Sequence, residues 1–202
     1  MANRSTTPHN SGYTIAKRVD GSGTNGVRIN VWVEYAVGTP NHTNHTVPLT
    51  AYFYADLKDG YTSSTSSTSG TTSSFSVNGV AGTGHSGGCD FRTVGKVNQW
   101  GYWSGNISFS KNGTASVAFS GTAKTHSTYI SGGSISGNIS VSYTLNFTIS
   151  YNKGSGSGTN TSDTQGFGDS YTTKGAIFSK TGYTQTGWSL DSDDGVAEYS
   201  LN

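Results

Sequence analysis

Ile139-Ser140-Val141-Ser142-Tyr143-Thr144-Leu145-Asn146-Phe147-Thr148-Ile149-Ser150-Tyr151 is the stretch that decides the fold. Apolar or aromatic residues occupy every odd position and polar residues every even one. A period of two puts alternate side chains on opposite faces of an extended chain, which is a strand with one buried face. The run exceeds the ~5–6 residues of a common strand. It therefore reads as a connector that runs out of one domain and into a second.

The same alternation recurs upstream. Val27, Ile29, Val31, Val33 and Tyr35 interleave with Arg28, Asn30, Trp32 and Glu34, and Gly38-Thr39-Pro40-Asn41 breaks the pattern. Val47, Leu49, Ala51 and Phe53 follow, with Tyr52 and Tyr54 on the other face, up to a turn at Asp59-Gly60. Phe75 and Val77 lead into Asn78-Gly79, a tight-turn pair. Trp103, Gly105, Ile107 and Phe109 are joined through Lys111-Asn112-Gly113 to Ala115, Val117 and Phe119, the pattern of a hairpin. The Ser/Thr/Gly tract 62–74 stays open between loop and polar strand, and 81–99 reads as a long glycine-rich loop. No segment has a 3.6-residue period. The expected fold is all-β: a flexible arm over 1–24, an antiparallel β-sandwich over 25–145 and a small second module over 146–202.

Composition agrees with that class. The 202 residues include 29 Gly and are only 11% charged, yet 12% are aromatic, with 12 Tyr and 4 Trp. Disordered chains are poor in aromatics and rich in charge, so this chain has the means to build cores. The net charge is +1 without any basic run, which argues against nucleic acid as a partner. Cys89 is the only cysteine, so no intramolecular disulfide forms. Met1-Ala2-Asn3-Arg4-Ser5-Thr6-Thr7 lacks the apolar stretch of a secretion signal, and no apolar run reaches transmembrane length, so no membrane partner is expected.

Within the second module, Lys180-Thr181-Gly182-Tyr183-Thr184-Gln185-Thr186-Gly187-Trp188-Ser189 resembles the signature of the Listeria–Bacteroides repeat, also called the internalin B repeat. Tyr151-Asn152-Lys153-Gly154 resembles its opening strand and turn. The resemblance implies a β-grasp-like spacer and adhesion module found on bacterial surfaces and phage particles. The chain stops at Tyr199-Ser200-Leu201-Asn202, where the repeat would continue into a closing strand, so the module is expected to be incomplete. The first domain is similar, in the order of its strands around Asn41-His42-Thr43-Asn44-His45-Thr46 and Lys111-Asn112-Gly113, to the N-terminal sandwich of minor tail structural proteins from siphophages of Gram-positive hosts. Together these resemblances imply a virion structural protein, made in the host cytoplasm and acting outside it. It would be a homo-oligomer, most readily a trimer, assembled with other virion proteins and contacting host-surface glycan. The alternatives are a carbohydrate-binding adhesion module of a surface protein and a cell-wall hydrolase.

Candidate chemistry is sparse. Cys89 and His85 suggest a nucleophilic pair, but no third residue is spaced to orient it. His42 and His45 offer two metal ligands where four are usual, although a symmetry axis would multiply them. Asp191, Asp193 and Asp194 fail the calcium-loop spacing. Glycan hydrolysis needs a pair of carboxylates, and the 11 acidic residues suggest none. The expectation is no catalytic residue, no metal and no cofactor. Aromatic rings that stack on sugars are the remaining candidates, namely Trp100, Tyr102 and Trp103. The alternation places Trp103 toward the core, and Trp188 reads as the core residue of the second module.

Overall fold

The computed structural model describes residues 8–20, 29–57, 66–90, 96–124, 132–190 and 196–202. Its strands are β1 (Thr14–Asp20), β2 (Ile29–Val37), β3 (Thr46–Leu57), β4 (Ser66–Val77), β5 (Val80–Ala81), β6 (Thr83–Gly84) and β7 (Ser86–Asp90). They continue as β8 (Asn98–Ser108), β9 (Gly113–Lys124), β10 (Gly133–Tyr143), β11 (Asn146–Tyr151), β12 (Thr161–Gly166), β13 (Gly187–Trp188) and β14 (Tyr199–Ser200). The fold is all-β and antiparallel, with no helix among the described residues. The chain divides into two compact units, 1–109 with 114–143, and 110–113 with 144–202.

The first unit is a sandwich. One sheet runs β1-β2-β3-β8-β6 and the other β10-β9-β4-β5, with β7 also on β4. Between them lie Ile29, Val31 and Val33 of β2, Val47, Leu49, Ala51 and Phe53 of β3, Phe75 and Val77 of β4, Val117 and Phe119 of β9, and Ile139, Val141 and Tyr143 of β10, all buried. These are the odd-numbered positions read from the sequence. Each large apolar side chain withdrawn from water contributes roughly 1.5–3 kcal/mol. Glycines let the two layers interlock. A Cβ at Gly101 would lie 2.5 Å from the Cβ of Phe75, so β8 is bare where the other sheet sets down a ring.

A bulge re-aims β8. Phe53 pairs with Gly101 and Tyr54 with Gln99, leaving Trp100 as the extra residue. The shift of phase turns Trp100 and Trp103 both inward despite their odd spacing. Asn78-Gly79 is the tight turn expected from the sequence. Val77 pairs with Val80 across it, and both turn residues have positive φ, 53° and 75°.

Other segments differ from expectation. The two runs around Lys111-Asn112-Gly113 are not a hairpin, because β8 belongs to one sheet and β9 to the other. Both runs aim apolar side chains at one core, which is equally true of strands in facing sheets. The turn pair is engaged otherwise. Asn112 Oδ1 accepts from Leu145 N at 2.8 Å and its Nδ2 donates to Leu145 O at 3.1 Å. The long alternation 139–151 is two strands, broken at Thr144-Leu145, where backbone groups turn to Asn112 and Phe167 instead of a ladder. Part of the 62–74 tract forms β4, and the expected loop 81–99 holds β5, β6, β7 and the start of β8. Residues 14–20 of the expected arm are the edge strand β1, paired with β2 from Thr14↔Tyr35 to Asp20↔Asn30.

The second unit is built from two short ladders, β11 with β12 and β13 with β14. Tyr199-Ser200, the last residues before the closing strand expected from the resemblance, pairs with Gly187-Trp188. Trp188 is the hub, edge-on to Tyr151 at 4.5 Å and to Phe178 at 5.7 Å, with its indole N–H donated to Lys174 O at 2.8 Å. Asp163 accepts from Lys174 Nζ and from the Tyr171 hydroxyl, both at 2.7 Å. These two donors hold its carboxyl below the usual carboxylate range.

Candidate functional site

The outward face of the first sheet carries the aromatic side chains that the core leaves over. Register sets them in rows. Trp32, Tyr54 and Gln99 lie across β2, β3 and β8, and Glu34, Tyr52, Tyr102 and Thr83 lie across β2, β3, β8 and β6. Alternation alone would make these positions solvent-facing. Residues 8–13 fold over one end and cover part of them.

Glu34 anchors that cover. It is fully buried, and its carboxylate accepts from Trp32 Nε1 at 2.8 Å, Asn10 N at 3.0 Å, Asn10 Nδ2 at 3.4 Å and His9 N. A buried carboxylate is tolerated when donors surround it. Here two consecutive backbone N–H groups supply much of the solvation, so residues 9 and 10 are held in place by the charge. Asn10 Nδ2 also donates to the Tyr54 hydroxyl at 2.7 Å, and the His9 ring packs edge-on to Tyr54 at 5.2 Å. Arg18 lies 4.9 Å over the Trp32 ring and 3.5 Å from the Asp56 carboxylate. His9, Asn10 and Tyr13 are therefore docked on their own chain, within the stretch that reads from the sequence as a flexible arm.

Beyond the cover lies a group of half-buried tyrosines. Tyr52 is central, 5.0 Å from Tyr102, 5.5 Å from Tyr13 and 5.7 Å from Tyr54, the last pair stacked. Burial pushes the Tyr54 phenol up to about 12, aided by the Glu34 charge and opposed by the Asn10 hydrogen bond. Burial, with the adjacent Tyr52 phenol, also raises Tyr13. Tyr13, Tyr52 and Tyr102 lie together, each half-buried, and are flanked by exposed Gln99 and Ser104. Such a face can stack on the apolar side of a pyranose while its hydroxyls exchange hydrogen bonds with the sugar.

The three aromatics read from the sequence separate. Trp100 and Trp103 are core residues, 1% and 7% exposed, and cannot stack on a ligand. Tyr102 remains on the face. Tyr13 and Tyr52 join it from elements that sequence proximity does not connect. The available signal was the aromatic content of the nominally polar positions 32, 52, 54 and 102.

The other candidates fall as follows. His85 lies between β6 and β7, with its backbone N–H donated to Ser73 Oγ at 2.7 Å. The side chain of Cys89 and residues Asp191, Asp193 and Asp194 lie outside the described residues. His42 and His45 meet at one point, each with Nδ1 near the Tyr143 hydroxyl, at 3.2 and 3.1 Å. No three His, Cys, Asp or Glu side chains come together among the described residues. Nor is any helix among them long and apolar enough to cross a membrane. Comparison with protein-family models, curated proteins and solved structures finds no match to this chain.

Proposed function

We propose that this chain is a structural and adhesion protein of a phage particle, and that the tyrosine face of its sandwich contacts glycan on the host surface. The single observation that supports the reading is the cluster of half-buried Tyr13, Tyr52 and Tyr102 on the outward face of the first sheet, with Tyr52 stacked beside Tyr54. A sheet fixes such rings at low entropic cost, because their backbone is already ordered by the ladder. The resemblance to tail structural proteins and to the Listeria–Bacteroides repeat supplies the setting, with a homo-oligomer, trimeric in the simplest case, as the assembled form. Binding rather than catalysis is the proposed activity.

Two measurements test this. Mass spectrometry of purified particles should find the chain among their proteins. Purified protein should co-sediment with Gram-positive host cell walls and lose that binding after the wall polysaccharide is stripped. Tyr52→Ala and Tyr102→Ala should each weaken binding by about tenfold, equivalent to about 1.4 kcal/mol. Equal retention of both variants on walls would defeat the assignment of the face.

A further inference from the structure

We propose that His42, His45 and Tyr143 form a binding site for a divalent first-row transition ion, with two imidazole nitrogens and one phenolate oxygen as protein ligands. The sequence supplies two histidines and assigns no metal. The fold supplies the third donor, about a hundred residues away, and brings all three together.

Two of the three ligand–ligand separations are close to those of an ion-bound set before any ion arrives. Both Nδ1 atoms approach the same hydroxyl oxygen, at 3.2 and 3.1 Å. Ligands held about 2.0–2.1 Å from a tetrahedral ion stand about 3.3 Å from one another. Each imidazole is thus already near the nitrogen–oxygen separation that such an ion requires.

The supporting structure is rigid on both sides. Tyr143 is 1% exposed and its ring stacks on Phe109 at 5.3 Å. The histidine loop is closed by backbone hydrogen bonds between Asn41 and Thr46, 2.7 and 3.1 Å. Asn41 Oδ1 accepts from Thr43 N and Asn44 N, at 3.0 and 3.1 Å. His45 has φ 50°, a left-handed conformation that is uncommon outside glycine, and Phe109 N donates to its carbonyl at 2.9 Å. A strained residue held by surrounding contacts is a frequent companion of a binding site. His42 is exposed and His45 half-buried, so an ion can enter from solvent.

Imidazole suits Zn²⁺, Cu²⁺ and Ni²⁺, with Cu²⁺ bound most tightly in the usual order. On binding, the phenol gives its proton to solvent and its oxygen joins the ion. No electron is transferred. The fourth position is left for water or an external donor.

The test uses the full chain without a purification tag, stripped of metal and titrated calorimetrically with Zn²⁺ alone. One ion per chain is expected. His42→Ala, His45→Ala and Tyr143→Phe should each lower affinity about 100-fold or more, beyond the about 10–100-fold that outer-shell changes cost. His85→Ala should bind as the parent does. Tyr143→Phe keeps the buried ring, and circular dichroism checks its fold. With Cu²⁺ the parent should show a visible phenolate-to-copper absorption band that Tyr143→Phe lacks. Absence of one-to-one Zn²⁺ binding would overturn the site, as would unchanged affinity in Tyr143→Phe or a copper complex without the phenolate band.

Discussion

The two outward faces of the sandwich are made from the same strand pattern and differ in nearly everything else. On the β10-β9-β4 side the outward residues include Ser134, Ser136, Asn138, Ser140 and Ser142, facing Thr114, Ser116, Ser120 and Thr122. Short hydroxyls pair across the strands, as in Ser76 with Ser120 and Thr114 with Ser142, both at 2.9 Å. On the β2-β3-β8 side the equivalent positions hold Trp32, Glu34, Tyr52, Tyr54 and Tyr102, and the chain's own segment 8–13 covers part of them. A face of small hydroxyls is satisfied by water and by itself. A face of rings around a buried charge needs a cover, and it leaves ring surface where the cover ends. That contrast is why binding is proposed for one face and not for the other.

The sharpest way to break the contrast is to remove the charge. Glu34→Ala leaves Trp32 Nε1 and the backbone N–H groups of residues 9 and 10 without their acceptor. It should cost about 3 kcal/mol in urea unfolding and free the segment before β1 to proteolysis. Glu34→Gln keeps one acceptor oxygen and should cost less. A loss below about 0.5 kcal/mol for Glu34→Ala would mean that the cover is held by something else.

Alkaline titration sharpens the same point. A phenol raised to about 12 in the folded protein, against about 10 unfolded, binds its proton more tightly when folded. Its contribution to stability is complete below pH ~10 and disappears as pH rises toward about 12. Melting temperature should therefore fall through that window, and less steeply in Tyr54→Phe. Ultraviolet titration should find a late-ionising tyrosine that this variant lacks.

The smallest effect belongs to the hydroxyl face. Replacing Ser76 and Ser120 together by Ala removes both partners of one exposed pair. Stability should change by no more than about 0.5 kcal/mol, read by urea denaturation. A larger loss would make that face a structural network.

Much of the sandwich was legible because a half-buried strand writes its burial at every second residue. Val47 to Phe53 and Ile139 to Tyr143 are core residues in the places that alternation puts them. Partner choice was not legible. Ala115, Val117 and Phe119 face the same core as Trp103 and Ile107 whether the strands share a sheet or oppose one another, so the expected hairpin was a crossing between sheets. The bulge at Trp100 was equally hidden, since a one-residue insertion shifts the phase without changing composition. At the site, Tyr102 could be singled out by sequence proximity to two tryptophans. Tyr52 reaches it only through register and Tyr13 only by packing on Tyr52 from outside the ladder, and Glu34 reads as an ordinary polar position until its donors from residues 9 and 10 are in place.

The most direct test is calorimetric titration of purified host wall polysaccharide into three proteins: the parent chain, the Tyr52→Ala/Tyr102→Ala double variant, and a Ser120→Ala/Ser140→Ala double variant of the opposite face. The account predicts saturable binding by the parent, loss by about 100-fold or more in the tyrosine variant, and unchanged binding in the serine variant. Unchanged binding in the tyrosine variant, or loss confined to the serine variant, would contradict it.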